Sequence, residues 1–247
     1  MEEHIDNLVS RYPKLFGCRG EIERAYEAIA AAYRRGGKLL VCGNGGSAAD
    51  SDHIVGELMK NFAVKRGIDP ELAGEIVRIA GDVYPTDGGA SDPGASDASV
   101  TGAGVTVGAA AAGAAAEASV GASLVANLNG ALPAIALTQH AALNFACIND
   151  NSADATFAQQ VLGLGRKGDV FLGITTSGNS KNVIYAAIVA RAKGLSTVAL
   201  TGRDGGRIKQ VVDVCVVAPE EETYKIQELH LPIYHALCLA LERSFFG

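Results

Sequence analysis

No two of the five cysteines, Cys18, Cys42, Cys147, Cys215 and Cys238, stand as a CxxC pair, and their number is odd. A disulfide framework is therefore excluded as the organising principle, and reduced, buried thiols are expected. No uninterrupted apolar stretch reaches the roughly 20 residues that a membrane-spanning helix needs. The opening MEEHIDNLVSRYPKLF is charged and amphipathic and lacks the apolar centre of a secretory signal, so a cytoplasmic protein is expected. Basic residues are in short supply too. A formal net charge of -6 argues against duplex DNA or an anionic membrane as the partner, since either needs a concentrated basic surface. The phosphate-binding pattern GxxxxGK(S/T) is absent and GNGGSA lacks the GxGxxG spacing, so no nucleotide cofactor is expected.

What is present is a chain of 247 residues, 48% of them hydrophobic, which is enough to bury one substantial core. Residues 21–35 have helical periodicity (Ile22, Ala25, Tyr26, Ile29, Tyr33) and stop at Gly36 and Gly37. Short apolar runs at 38–42, 134–137, 170–174, 197–200 and 214–217 read as five buried strands. Helical stretches at 181–193 and from 224 to about 243 lie among them or follow them. Apolar strands alternating with helices predict an α/β fold with a parallel sheet covered on both faces. One segment departs from this pattern. Residues 82–123 are dominated by Gly, Ala, Ser and Asp, and no Lys or Arg occurs between Arg78 and Arg166. Such a composition buries too little surface to offset its ordering entropy, and a flexible low-complexity insertion is expected there.

Two of the strands run into small, hydroxyl-rich loops and then into helices. Residues 38–42 lead to Gly43, Asn44, Gly45, Gly46 and Ser47; residues 170–174 lead to Thr175, Thr176, Ser177, Gly178, Asn179 and Ser180. Loop glycines let the backbone approach a ligand, and the first-turn N–H groups of the following helix have no intrahelical partner, so each loop can bind an anion. In a parallel sheet both loops fall at the carboxyl ends of the strands. Each alone is equally readable as a helix cap; together they favour a small phosphorylated ligand. A second group lies on helices. His53 and Glu57 are four apart and share a face, and Gln227, Glu228, His230 and His235 fall in the last helix. By themselves, His53 and Glu57 fit a solvated i,i+4 pair, and His235 among Ile233, Leu237 and Leu239 fits a core histidine.

The blocks GNGGSAADSDHIVGEL, TTSGNSKNVI, ALTGRDGG and KIQELHLPIYHALC resemble, in order and with plausible spacing, those of phosphoheptose isomerases in the sugar isomerase (SIS) superfamily. The resemblance covers roughly residues 20–65 and 130–245. It implies a three-layer SIS domain over residues 1–247, with N-terminal helices, a five-stranded parallel sheet between helices, and insertion 82–123. It also implies a homotetramer with active sites between subunits. Residue by residue, Asn44, Gly45 and Ser47 match the first substrate loop, and Thr176, Ser177, Asn179 and Ser180 match the phosphate loop. Asp150 and Gln227 match substrate contacts, Glu57 and His235 the acid/base pair, and His53, Glu57, Gln227 and His235 a zinc site of some members. Tyr224 stands where an Asp is usual and Asn61 near a usual basic residue, and the connection before residue 134 is longer than in the family. The implied reaction is aldose–ketose isomerisation of a phosphorylated sugar, with sedoheptulose 7-phosphate as the expected substrate. A non-catalytic phosphosugar-binding or regulatory SIS protein, or an isomerase for another sugar phosphate, remain the alternatives.

Overall fold

The computed structural model describes residues 1–84 and 119–247. Its five strands, β1 (Leu39–Gly43), β2 (Ala134–Ala136), β3 (Val170–Ile174), β4 (Ser196–Gly202) and β5 (Val214–Ala218), form one sheet in the order β2-β1-β3-β4-β5. Every pairing is parallel: Val41 lies opposite Ala136 on one side and Leu172 on the other. All five predicted strands are present, with ends shifted by no more than two residues.

The strands are apolar on both faces because both are covered. On one face Leu39, Val41, Leu172 and Leu200 pack with helices α1 (Glu2–Arg11) and α2 (Arg19–Arg34), with α3 (Gly46–Met59), and with the C-terminal helix, residues 223–246. On the other, Leu40, Cys42, Phe171 and Ala199 meet Phe157 and Val161 of one helix, residues 156–164, and Val183 and Ala187 of another, residues 181–192. This is the expected α/β sandwich. The five cysteines are free; all are buried except Cys215, which is half-buried.

In chain order the remaining helices are α4 (Pro70–Val83), α5 (Val120–Asn127), α6 (Ala141–Asp150), α7 (Thr156–Leu164), α8 (Lys181–Ala192) and α9 (Thr223–Phe246). Contacts divide the chain into one unit of Met1–Gly67 with Asn129–Gly247, and a second of Ile68–Leu128. In the second, Asp69 caps α4 by accepting from the Glu71 and Leu72 N–H groups, and Gly121 of α5 packs directly on Val77 of α4. Most of the expected insertion, residues 85–118, lies outside the described residues. Its two ends belong to α4 and α5.

One buried ion pair fixes the end of α3. Arg66 and Glu242 are 0% and 1% exposed along their side chains, with Nε and Oε1 2.7 Å apart. The guanidinium also donates to the carbonyls of Leu58 (2.6 Å) and Glu57 (2.7 Å), two of the orphan acceptors at a helix C-terminus. Glu242 in turn accepts from the backbone N–H groups of Phe62, Ala63 and Val64. Removing one partner leaves an uncompensated buried charge. Glu242→Leu is therefore expected to lower unfolding free energy by about 3–5 kcal/mol in urea titrations. The Arg66→Met/Glu242→Leu double variant should recover only part of it, since the backbone groups that the pair serves stay without partners.

His230 is a second buried polar group. It is fully buried and its Nε2–H donates to the Thr201 carbonyl at 3.0 Å, while Nδ1 has no partner. Burial holds its pKa down, from the ordinary 6.5 to about 4. The unfolded chain therefore binds a proton that the folded chain refuses, and the stabilisation present above pH 6.5 is lost as pH falls towards 4. The expected slope amounts to about 3 kcal/mol over that window. It should flatten in His230→Gln when unfolding is measured across it.

Candidate active site

The first loop leaves β1 at Gly43 and enters α3 at Gly46, two residues earlier than the sequence suggested. Gly45 takes a positive φ of 58° at the turn. Asn44 is exposed and exchanges two 2.9 Å hydrogen bonds with Asn182 in the first turn of α8. That reciprocal amide pair ties the first loop to the helix behind the second. Ser47 is 3% exposed, and its carbonyl accepts from the Ser51 hydroxyl.

The second loop runs from β3 into α8 and is braced from within. The Thr175 and Ser180 hydroxyls are 3.0 Å apart, the Ser177 hydroxyl accepts from the Asn179 N–H at 3.2 Å, and the Asn179 amide donates to the Ser177 carbonyl at 2.8 Å. Thr176 accepts from the Gly202 N–H through its carbonyl at 3.1 Å. Gly178 has φ +65°, and a Cβ there would lie 2.0 Å from the Gly205 carbonyl oxygen. Gly206 presses back, with its own Cβ direction 2.4 Å from the Ser177 carbonyl oxygen. The turn after β4 thus supports the loop backbone to backbone. This support, from the DGG of ALTGRDGG, was legible only as part of a family block.

The helical candidates divide into groups. His53 Nε2 lies 3.1 Å from Glu57 Oε1, and the His53 and His235 ring centroids are 5.0 Å apart. The two helices carrying them, α3 and α9, pack side by side. Phe62 covers the other side of His235, with 5.5 Å between ring centroids. Burial, reinforced by the neighbouring His53, holds the His235 imidazole below its ordinary pKa, which makes it a neutral proton acceptor at pH 7. Gln227 sits elsewhere. It is eight positions before His235, about 12 Å along the helix axis, and its amide rests against Gly46 at the start of α3. Asp150, at the end of α6, is exposed and accepts from the adjacent Asn149 amide at 2.7 Å, with none of the other candidates among its partners.

Asp50 and Tyr234 join this cluster without having been singled out in the sequence. The Tyr234 hydroxyl is 2.9 Å from His53 Nδ1 and 3.3 Å from Asp50 Oδ1. Burial raises both the Tyr234 hydroxyl and the Asp50 carboxyl above their ordinary pKa values. For a zinc ion, the test is the chemistry of the donors. No group of three or more His, Cys, Asp or Glu side chains converges as a ready-made cage among the described residues. Glu57 Oε2 and His235 Nε2 are nevertheless buried without partners, and with the His53 ring they make an N/O donor set of the kind zinc accepts.

The chain matches the SIS domain family over residues 16–83 and 96–202. It is 32% identical to the phosphoheptose isomerase of Geotalea daltonii, over 100% of this chain and 98% of that protein. It is 35% identical to a phosphoheptose isomerase of a Geobacter species, over 91% of this chain and 84% of the relative. The chain belongs to the phosphoheptose isomerase family. Among solved structures, a phosphoheptose isomerase from Francisella tularensis superposes with a TM-score of 0.63 at 25% identity, covering 96% of this chain and 97% of that one. The enzyme from Neisseria gonorrhoeae gives 0.59 at 28% identity, covering 96% and 98%. The resemblance seen in the sequence blocks is thus a family relationship along the whole chain. Of the departures from the family pattern, Tyr224 is 59% exposed in the first turn of α9, and Asn61 is exposed just beyond α3.

In this phosphoheptose isomerase family member the second loop has no room for a side chain at Gly178. Gly178→Ala combines a left-handed backbone, worth about 1–2 kcal/mol against an L-residue, with a clash against Gly205. The expected outcome is a protein with native circular dichroism, a lower urea midpoint and at least tenfold weaker protection by a phosphorylated sugar.

Proposed function

We propose that this protein interconverts a ketose phosphate and its aldose isomer, sedoheptulose 7-phosphate to D-glycero-D-manno-heptose 7-phosphate, through an enediol intermediate. The observation that carries the reading is the pairing of a carboxylate and a neutral imidazole, Glu57 and His235, each with a buried unpartnered atom. Family membership supports the substrate.

The phosphate rests on loop Thr176, Ser177, Asn179 and Ser180, where hydroxyls and helix N–H dipoles bind an anion without a cationic side chain. Asn44, Gly45 and Ser47 shape the adjacent wall, and Gln227 and Asp150 are assigned to sugar hydroxyls. Binding at this remote end holds the reacting carbons in place. One member of the pair takes the C1 proton of the ketose while the other protonates the C2 carbonyl oxygen, giving the enediol. The proton then returns to C2 as the C1 hydroxyl loses its own, leaving the aldehyde. Glu57 and His235 fill these roles.

A zinc ion held by His53, Glu57 and His235 would stabilise negative charge on the enediolate oxygens; Gln227, which rests against Gly46 some way along α9, is left out of that donor set. A homotetramer with sites completed between subunits is the proposed assembly, in the cytoplasm. Its support within the chain is exposed apolar surface on α6, where Phe145 and Ile148 are 70% and 50% exposed.

Glu57→Gln and His235→Ala are each expected to reduce turnover by about 10²–10⁴-fold while phosphosugar binding, followed by calorimetry, persists. A panel of ketose phosphates followed by NMR, with and without chelator, assigns both the sugar and the metal requirement. Full activity in both variants would sink the mechanism. Tight binding with no turnover of any sugar would favour a non-catalytic phosphosugar-binding protein.

A further inference from the structure

We propose that Asp50 and Tyr234 are positioning residues that fix which ring nitrogen of His53 carries its hydrogen. The inference deepens the isomerase reading and rests on it for its catalytic consequence, but its geometry stands apart from any substrate.

Asp50, His53 and Glu57 occupy one face of α3 at spacings of three and four. Tyr234 reaches that face from α9, where it is 1% exposed. Four groups form a chain with three gaps: 3.3 Å from Asp50 Oδ1 to the Tyr234 hydroxyl, 2.9 Å from that hydroxyl to His53 Nδ1, and 3.1 Å from His53 Nε2 to Glu57 Oε1. A phenol has one hydrogen and a neutral imidazole has one, whereas a carboxylate only accepts. Two hydrogens therefore serve three gaps, and one gap is left with two acceptors facing each other.

Burial decides which gap that is. Asp50 Oδ2 and Glu57 Oε2 are both buried with no partner, so bare oxygens do not choose between the two carboxylates; the Tyr234–His53 contact, at 2.9 Å the shortest of the three, takes one hydrogen. Losing a hydrogen bond to a charged group costs most where water cannot replace it. Of the two remaining contacts, His53–Glu57 is the one that water can reach from the histidine side, since His53 is 41% exposed along its side chain and Glu57 13%, whereas Tyr234 is 1% exposed. Tyr234 therefore donates to Asp50 and presents its lone pair to His53, which answers with Nδ1–H. His53 Nε2 is left as a bare lone pair directed at Glu57. The open gap is the one that a substrate hydroxyl or a bound cation fills by supplying what the two acceptors lack. This is the arrangement by which an outer group sets the tautomer of a ligating or proton-shuttling histidine.

The test is ¹⁵N NMR of the histidine-labelled full-length protein without substrate, with His53 assigned among the five histidines by comparison with His53→Gln. The expected wild-type signature is Nδ1–H with an unprotonated Nε2. In Asp50→Asn the amide donates to the Tyr234 oxygen, the tyrosine hydrogen turns to Nδ1, and His53 should switch to Nε2–H. Tyr234→Phe should lose the preference for Nδ1–H. Both variants should show a 10–100-fold lower kcat, the usual scale for outer-shell partners, with KM for the sugar phosphate changed less than threefold. An Nε2–H wild type overturns the proposal, as does one unchanged tautomer across wild type and variants. Should Tyr234→Phe fail to fold, the half-buried Asp50 carries the test. The tautomer is read without turnover, so a protein that isomerises nothing can still show the switch, and an active one with an unmoved tautomer refutes this inference alone.

Discussion

Helices α3 and α9 run side by side in the same direction, and their far ends are clamped by a guanidinium and a carboxylate removed from water. Gly46 meets Gln227 near the start, His53 meets Tyr234 and His235 in the middle, and Arg66 meets Glu242 at the end. Each contact sets the axial register of the next. The clamp is therefore more than an ion pair. Arg66 closes the carbonyls of Glu57 and Leu58, the last turn of the helix that carries the carboxylate, and Glu242 collects the N–H groups of the segment that places Phe62 against His235. An imidazole and a carboxylate from distant parts of the sequence are held in one neighbourhood by groups that never meet a ligand.

The sheet supplies the complementary constraint. Because all its pairings are parallel, β1 and β3 discharge their loops at the same edge, and the helices that follow present their positive ends there. A negatively charged chain can in this way hold a phosphate without spending side-chain cations. The Asn44–Asn182 amide pair, which satisfies both amides reciprocally, keeps the two loops in fixed relation.

The strands were legible because both faces of the sheet are covered, which turns each into an uninterrupted apolar word such as LLVCG or VFLGI. The edge strand β2 is only three residues long and is still legible, through the short apolar run at 134–137. Helix α4 escaped notice although its sequence is amphipathic, because it runs into a stretch whose Gly, Ala and Ser content dominates the reading. Within the site, the spacing of His53 and Glu57 announced a shared helix face, but His235 looked like core until the family pattern was considered. Arg66 and Tyr234 were invisible for opposite reasons. An arginine in NFAVKRG reads as surface and is buried, while a tyrosine in an apolar helix reads as packing and spends its hydroxyl on two polar partners.

The mutual contact of Gly178 with Gly205 and Gly206 imposes a rule on how this surface can diverge. At Gly178 and Gly206 the two backbones touch with no side chain between them, so neither position has a neighbour that a compensating substitution could trim. A methyl group on either side has to part the ends of β3 and β4 themselves. Variation in ligand preference is accordingly channelled away from this seam and into exposed side chains outside it, such as Asn61 and Tyr224.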